Sequence, residues 1–338
     1  MRHRLAGLVF ILLVYSGYTA AAPEASAQHP YRYYLTGSAA DVQRPTHGLL
    51  VLQGGGDDVD QNYVRMGEMG GGGDFVVLRA SGDDDYNEYI YKLCHCDSVE
   101  TLVVDSRAAA SDPFVVEKVR NAEALFIAGG DQGNYIRFWK GTPLQDAINF
   151  VVAKPAPIGG TSAGMAVAGE FVYSATGPDS LTTPDGLANP FDINLTLERD
   201  FLKLPRLQGI ITDQHLHERD RIGRTVTLLA RLIKDGWSEH PRAIAADRET
   251  SLHIDPATGI AEVFATAKHP TPYAYFMSVT EPPQSCERGQ PLTMRNVDVY
   301  RIKPGGRFDV TAWKGQGGIA YTLSAENGTL KSSRGEIY

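Results

Sequence analysis

Two side chains in this sequence have the type and the setting to break an acyl bond. Ser162 lies in Gly160-Thr161-Ser162-Ala163-Gly164, a Gly-x-Ser-x-Gly run entered through the apolar residues Phe150, Val151, Val152 and Ile158 and left through small, helix-tolerant residues. In a strand-turn-helix context such a run bends sharply enough to lift the serine hydroxyl above a sheet. Amide N–H groups near the start of the next helix then stay open toward developing negative charge. The second side chain is His215, which ends the run Ile210-Ile211-Thr212-Asp213-Gln214. An imidazole titrates near neutrality, so one at a strand end can take the serine proton. The competing readings are a Gly-rich turn with an incidental serine and a histidine that only packs.

The neighbours of His215 sharpen the case. Arg219, Arg221 and Arg224 precede a helical stripe of Val226, Leu228, Leu229, Leu232 and Ile233. Cations are unfavourable at a helix N-terminus, so this cluster suggests a carboxylate ligand or buried acidic partners. Further on, the apolar run through Ala246 ends in Asp247-Arg248-Glu249-Thr250. An acid there could orient His215 and stabilise its protonated form.

These groups need a scaffold that brings strand ends together. Gly48-Leu49-Leu50-Val51-Leu52 is stopped by Gln53-Gly54-Gly55-Gly56, and the runs Phe75-Val76-Val77-Leu78, Leu102-Val103-Val104 and Ala124-Leu125-Phe126-Ile127 each end in polar or Gly residues. Helices are predicted over 86–93 and 113–121 between them. Buried strands alternating with helices describe an α/β fold with a mainly parallel central sheet flanked by helices. Sites in such sheets collect at the carboxyl ends of strands, so the loops after Leu52, Ile127, Ile158 and Ile211 are expected to converge. The later runs, among them Ala261-Glu262-Val263-Phe264 and Val297-Asp298-Val299-Tyr300, read as antiparallel strands ending in an Asn327-Gly328 hairpin. The expected organisation is a signal peptide over 1–27, a catalytic domain over 28–280 and a β-rich extension over 281–338 packed on it.

Composition bounds the function. The chain has 338 residues, 43% of them hydrophobic, enough for a substantial core, and a formal net charge of −8, which disfavours a nucleic-acid groove. Met1-Arg2-His3-Arg4, the apolar run Leu5 to Val14 and Ala25-Ser26-Ala27 match a secretory signal cleaved before Gln28. The expectation is a secreted or periplasmic protein, free of the membrane after cleavage. The three cysteines cannot all pair within one chain, and an oxidising compartment permits a bridge from Cys286 to Cys94 or Cys96. Cys94-His95-Cys96 alone is a weak metal signal.

Taken together, Gly129-Gly130-Asp131-Gln132, Gly159-Gly160-Thr161-Ser162-Ala163-Gly164, Ala188-Asn189-Pro190, and Asp213-Gln214-His215 followed by Arg219-Asp220-Arg221-Ile222-Gly223-Arg224 resemble the secreted members of the cyanophycinase branch of peptidase family S51, which is related to peptidase E. The resemblance runs from about Gly48 to the C-terminus. It implies a class I glutamine amidotransferase-like sandwich and hydrolysis of cyanophycin, a poly-aspartate carrying arginine on each side-chain carboxyl, to β-aspartyl-arginine dipeptides. It implies Ser162 as nucleophile, His215 as general base, and the amides of Gly130 and Ala163 as oxyanion donors. Gln132, Asp213, Gln214, Arg219, Arg221 and Arg224 would line the substrate pocket. No metal or organic cofactor is implied, and a homodimer is left open. One departure stands out: Arg248 occupies the place of the usual triad acid, and arginine cannot accept a hydrogen bond from an imidazole. Glu249 is expected to substitute, with Asp247 as the alternative acid. The rival functions are an α/β-hydrolase esterase, with a late histidine such as His253 or His269, a peptidase for small aspartyl or isoaspartyl peptides, and a catalytically silent binder of acidic peptides.

Overall fold

The computed structural model describes residues 29–268 and 272–338. The expected signal segment and His269 lie outside them. In chain order the strands are β1 (Arg32–Gly37), β2 (Leu49–Gln53), β3 (Asp74–Arg79), β4 (Ser98–Val103), β5 (Ala124–Ile127), β6 (Pro157–Thr161), β7 (Phe171–Tyr173), β8 (Leu197–Arg199) and β9 (Ile210–Gln214). Then follow β10 (Arg242–Ala246), β11 (Thr250–Ile254), β12 (Ile260–Ala265), β13 (Ala274–Ser278), β14 (Met294–Ile302), β15 (Arg307–Asp309), β16 (Lys314–Gln316), β17 (Ile319–Glu326) and β18 (Thr329–Ser332). The helices are α1 (Asp60–Met69), α2 (Asn87–Cys94), α3 (Pro113–Asn121), α4 (Gln132–Trp139), α5 (Pro143–Ala153), α6 (Ala163–Ala166), α7 (Thr183–Ala188) and α8 (Ile222–Lys234).

The apolar runs become strands buried along their whole length, as β2, β5 and β6 are, because both faces of a parallel sheet are covered. The first sheet has the order β1-β4-β3-β5-β6-β2-β11-β12-β15-β16, with a parallel heart from β4 to β2 and antiparallel strands on both sides. A second sheet has the order β18-β17-β14-β13-β10-β9-β7-β8 and is parallel where β9 meets β7 and β10. The α/β architecture with helices on the sheets is thus as expected, but it is built from two sheets rather than one. Leu50 and Leu52 of the first sheet share a core with Ile244 and Ala246 of the second, while Leu49 and Val51 pack on the side of α1 and α2. Val226, Leu228, Leu229 and Leu232 of α8 close the other face of the second sheet, against Ala243 and Ala245.

Local chemistry fixes several ends. Asp112 caps α3 by accepting from the Phe114 N–H at 2.9 Å, with Pro113 in the first turn. Asp131 caps α4 by accepting from the Gly133 N–H at 2.8 Å. Asn327 and Gly328, both at positive φ, turn β17 into β18 as an Asn-Gly hairpin requires. The C-terminal strands do not form a separate layer: β14, β17 and β18 extend the second sheet, and β15 and β16 extend the first. The cysteine expectation needs correction. Cys94 is bridged to Cys96, and Cys286 is a buried free thiol in a different core, the one that holds Leu292 and Met294.

Candidate active site

Strand register brings the two reactive side chains together. Gln53 pairs with Thr161, so β2 and β6 end level, and Gln214 pairs with Ala246, so β9 and β10 do the same. Ser162 follows β6 in a left-handed conformation that side chains rarely adopt, φ 52° and ψ −111°, and its N–H bonds to the Gln53 carbonyl at 3.0 Å. The flanking glycines are required by close approach: a Cβ on Gly164 would lie 2.0 Å from the Ile127 carbonyl oxygen, and one on Gly160 would lie 2.7 Å from the Gly164 carbonyl carbon. Ala163 opens α6, so its N–H is not consumed by the helix. Gly129 packs against Ser162, a Cβ there lying 3.5 Å from the serine Cβ, which sets Gly130 and Gln132 at the same strand ends. The Gln132 side chain makes no hydrogen bond among the described residues.

His215 follows β9, also left-handed at φ 51°. Its N–H donates to the Gly54 carbonyl in the loop after β2 of the first sheet at 2.9 Å, and the next N–H, that of Leu216, donates to the Ala246 carbonyl at 3.2 Å. Its Nε2 lies 3.1 Å from Ser162 Oγ, and its Nδ1 lies 2.8 Å from Glu218 Oε2. An ionised carboxylate can only accept, so Nδ1 carries the proton and the Nε2 lone pair faces the serine hydroxyl. Burial holds the imidazole below its usual value, opposed by the bond to Glu218 and aided by the Arg219 and Arg221 charges. Burial works against ionising Glu218 too, but the bond to His215 and the Arg248 and Arg219 charges outweigh it and keep this carboxyl low. At neutral pH the site therefore holds a neutral imidazole between a hydroxyl and a carboxylate.

Glu218 is a residue that the sequence did not single out, and it, rather than Glu249 or Asp247, is the carboxylate on the imidazole. The residues after His215 wind through one tight turn, with the Arg219 N–H on the His215 carbonyl at 3.2 Å and the Arg221 N–H on the Leu216 carbonyl at 2.7 Å. A spacing of three in such a turn returns a side chain over its starting residue, which is the signal that could have found it. Glu249, the expected acid, instead takes the Arg248 guanidinium and the Thr266 hydroxyl, the latter at 2.9 Å. Asp247 accepts from the backbone N–H groups of His217 at 3.0 Å and Tyr273 at 3.2 Å, so it braces the loop rather than the imidazole. Arg248 bridges the acids, its Nε 3.9 Å from Glu218.

The expected pocket residues divide. Asp213 and Arg224 are fully buried and paired with each other, with Thr225 donating to Asp213 at 2.8 Å and Tyr173 under the guanidinium at 4.8 Å. Burial alone would raise Asp213, but Arg224 holds it low. Arg221 bonds to the Gln214 carbonyl at 3.1 Å and to its Oε1 at 2.6 Å, both residues being buried. Of the two reasons for an arginine cluster here, a buried acidic partner accounts for Arg224, whereas Arg221 is held by Gln214, and all four residues are buried. Arg219 is exposed. Gly55 is a further residue whose role the sequence did not reveal: at φ 95°, a Cβ on it would fall 2.2 Å from His215 Nε2. Beside the pair, a cleft of about 650 Å³ is lined by Asp57, His217, Glu218, Asp247, Arg248, Glu249 and Lys268.

Comparison with known proteins agrees with this architecture. Residues 79–188 match Peptidase family S51, a span that includes Gly130, Gln132, Ser162 and Ala163 but not His215. The chain is 27% identical over 206 residues to the cyanophycinase of Synechococcus elongatus, covering 56% of this chain and 61% of that protein. It is 26% identical over 283 residues to the cyanophycinase of Geminocystis herdmanii, covering 80% and 96%. Among solved structures, a peptidase from an acI-B1 Actinobacterium superposes with a TM-score of 0.51 at 17% identity over 78% of this chain and 98% of that one, a likeness of fold. The matches bear out the resemblance read from the motifs, a likeness to peptidase family S51 and to cyanophycinases. The named relatives are cyanophycinases, although the chain spans only 61% of the length of the first of them.

Proposed function

We propose that this protein is a serine-type peptidase that cleaves cyanophycin to β-aspartyl-arginine dipeptides. The observation that carries the reading is the 3.1 Å approach of His215 Nε2 to the hydroxyl of Ser162 on its strained elbow, with Glu218 behind the imidazole. His215 removes the hydroxyl proton as Ser162 Oγ attacks the scissile carbonyl carbon, and the amides of Gly130 and Ala163 receive the oxyanion. The proton on Nε2 then passes to the leaving amine, giving an acyl-enzyme. Water, deprotonated by the same imidazole, releases the acid and restores the serine. Glu218 fixes the tautomer and offsets the imidazolium charge in both halves of the cycle.

The lining of the neighbouring cleft supports this substrate class. Its lining carries both signs of charge, Asp57, Glu218 and Glu249 with Arg248 and Lys268, and a β-aspartyl-arginine unit likewise carries carboxylate and guanidinium groups. Two features weigh against an α/β-hydrolase esterase: its order is serine, acid, histidine, and His253 is engaged with Asn62 at 2.8 Å. The test is incubation of the mature protein with insoluble cyanophycin, with Ser162→Ala as control and mass analysis of the supernatant. Dipeptides from the wild type alone are expected. Cleavage of soluble isoaspartyl peptides without attack on the polymer would reassign the substrate, and equal product from Ser162→Ala would end the reading. We also propose export through residues 1–27. Among the described residues no helix is long and apolar enough to cross a membrane, and a mature protein starting at Gln28 is expected on N-terminal sequencing.

A further inference from the structure

The turn that carries Glu218 is closed by three backbone hydrogen bonds of its own, and its side chains are held from elsewhere in the chain. Residues His217 to Asp220 are exposed, and two non-glycine residues in the turn, His215 and Asp220, sit at φ 51° and 46°. Such conformations persist only where surrounding contacts impose them. The N-terminal end is fastened by the Gly54 and Ala246 carbonyls and the C-terminal end by α8, while the middle is met by Asp247, which accepts from the His217 N–H at 3.0 Å, by the Thr183 hydroxyl on the Asp220 carbonyl, by Arg248 3.9 Å from Glu218, and by a residue 116 positions beyond Ile222 that reaches both flanks of Glu218. The Tyr338 hydroxyl donates to Asp220 Oδ1 at 2.8 Å and accepts from the Ile222 N–H at 3.2 Å. Its ring stacks on His217 at 4.4 Å between centroids, 19° from parallel. These contacts bracket Glu218 on both sides. The segment bearing Tyr338 is anchored in turn to β17, where the Tyr321 hydroxyl donates to the Ile337 carbonyl at 3.2 Å and the Ser333 N–H to the Thr322 carbonyl at 3.0 Å.

We propose that Tyr338 is a positioning residue for the Ser162–His215 pair, acting through the His215–Ile222 turn to hold Glu218 on the imidazole, an inference that rests on the peptidase reading above. It touches neither reacting atom. Its loss lets the turn relax, so that the imidazole spends less time with Nδ1 held and Nε2 aimed at the serine. Binding in the cleft loses only what His217 and Glu218 of the turn contribute, because Asp57, Arg248 and Lys268 stand on other segments. The effect therefore falls on kcat rather than on KM.

The test compares wild type, Tyr338→Ala, Tyr338→Phe, Glu218→Gln and the Glu218→Gln/Tyr338→Ala double variant. Cyanophycin hydrolysis and the His215 imidazole titration, followed by NMR, are measured on each. Arg219 and Arg221, the other charges facing His215, are unchanged throughout. The expectation for Tyr338→Ala is a kcat roughly tenfold lower with KM within about twofold. The His215 titration should move to lower pH, in the same direction as in Glu218→Gln. The double variant should be no slower than Glu218→Gln alone, since both changes remove one function. Wild-type kcat with an unmoved titration overturns the proposal, as does a loss that multiplies onto Glu218→Gln. Should the alanine variant fail to fold, Tyr338→Phe keeps the ring stack, lacks both hydrogen bonds and is judged by the same readings. A wild type that leaves cyanophycin intact would defeat the peptidase reading alone, because the titration still decides the role of Tyr338.

Discussion

At the scale of single residues, the chemistry turns on which carboxylate meets His215. The geometry predicts that Glu218→Gln lowers kcat by about 10² to 10⁴, the upper end being the loss seen when a buried triad acid is neutralised. Glu249→Gln and Asp247→Asn should retain most activity in a short assay at pH 7. The wild-type kcat/KM should rise with pH and level off below neutrality, because burial holds the imidazole under its ordinary value and the neutral form is the base. Glu218 raises that value, so its removal should shift the rising limb further toward acid. A rate profile in which Glu249→Gln falls furthest would reverse the assignment. Ser162 and His215 were legible in the sequence because each ends an apolar strand run, where parallel sheets gather their sites. Glu218 was not. In a polar string such as His217-Glu218-Arg219-Asp220 no apolar period marks the turn, and the family pattern drew attention to 247–249 instead.

At the scale of elements, two buried acids have separable duties. Asp213 and Arg224 join the end of β9 to the first turn of α8. Asp213→Asn should leave an uncompensated buried guanidinium and destabilise the fold by about 3–5 kcal/mol, read as a lower urea midpoint. Adding Arg224→Met should recover part of that loss. Asp247, after β10, behaves oppositely: burial pushes its carboxyl up to about 7 despite two backbone donors. A carboxyl raised on folding contributes stability that is fully present below its unfolded value, about 4, and is lost as pH rises through about 7. Asp247→Asn should therefore flatten the fall in melting temperature between pH 5 and 8, and an unchanged slope would remove Asp247 as its source. The apolar runs named β2 to β5 and the helices near 86–93 and 113–121 correctly, because burial on both faces and a capped Pro start leave strong local signals. Local signals carry no information on which strands pair across long separations. The division into two sheets was therefore hidden, as were the three-residue strands β7 and β8.

At the scale of the whole molecule, the C-terminal strands are part of the frame rather than an appendage. Removing residues 281–338 strips β14 from one side of β13 and leaves bare the apolar side chains that share a core with Met294, Val297 and Leu323. A 29–280 fragment is expected to lack a cooperative thermal transition, and a sharp melt in that fragment would make the extension an independent module. The frame also explains where the reacting pair sits. The serine is delivered by β6 of one sheet and the imidazole by β9 of the other, and the backbone around His215 is stitched to both through Gly54 and Ala246. The gap between hydroxyl and ring nitrogen thus works as a caliper across the seam. A slippage of one sheet past the other by even an ångström would open it before any secondary structure melted, so inactivation on heating should run ahead of unfolding.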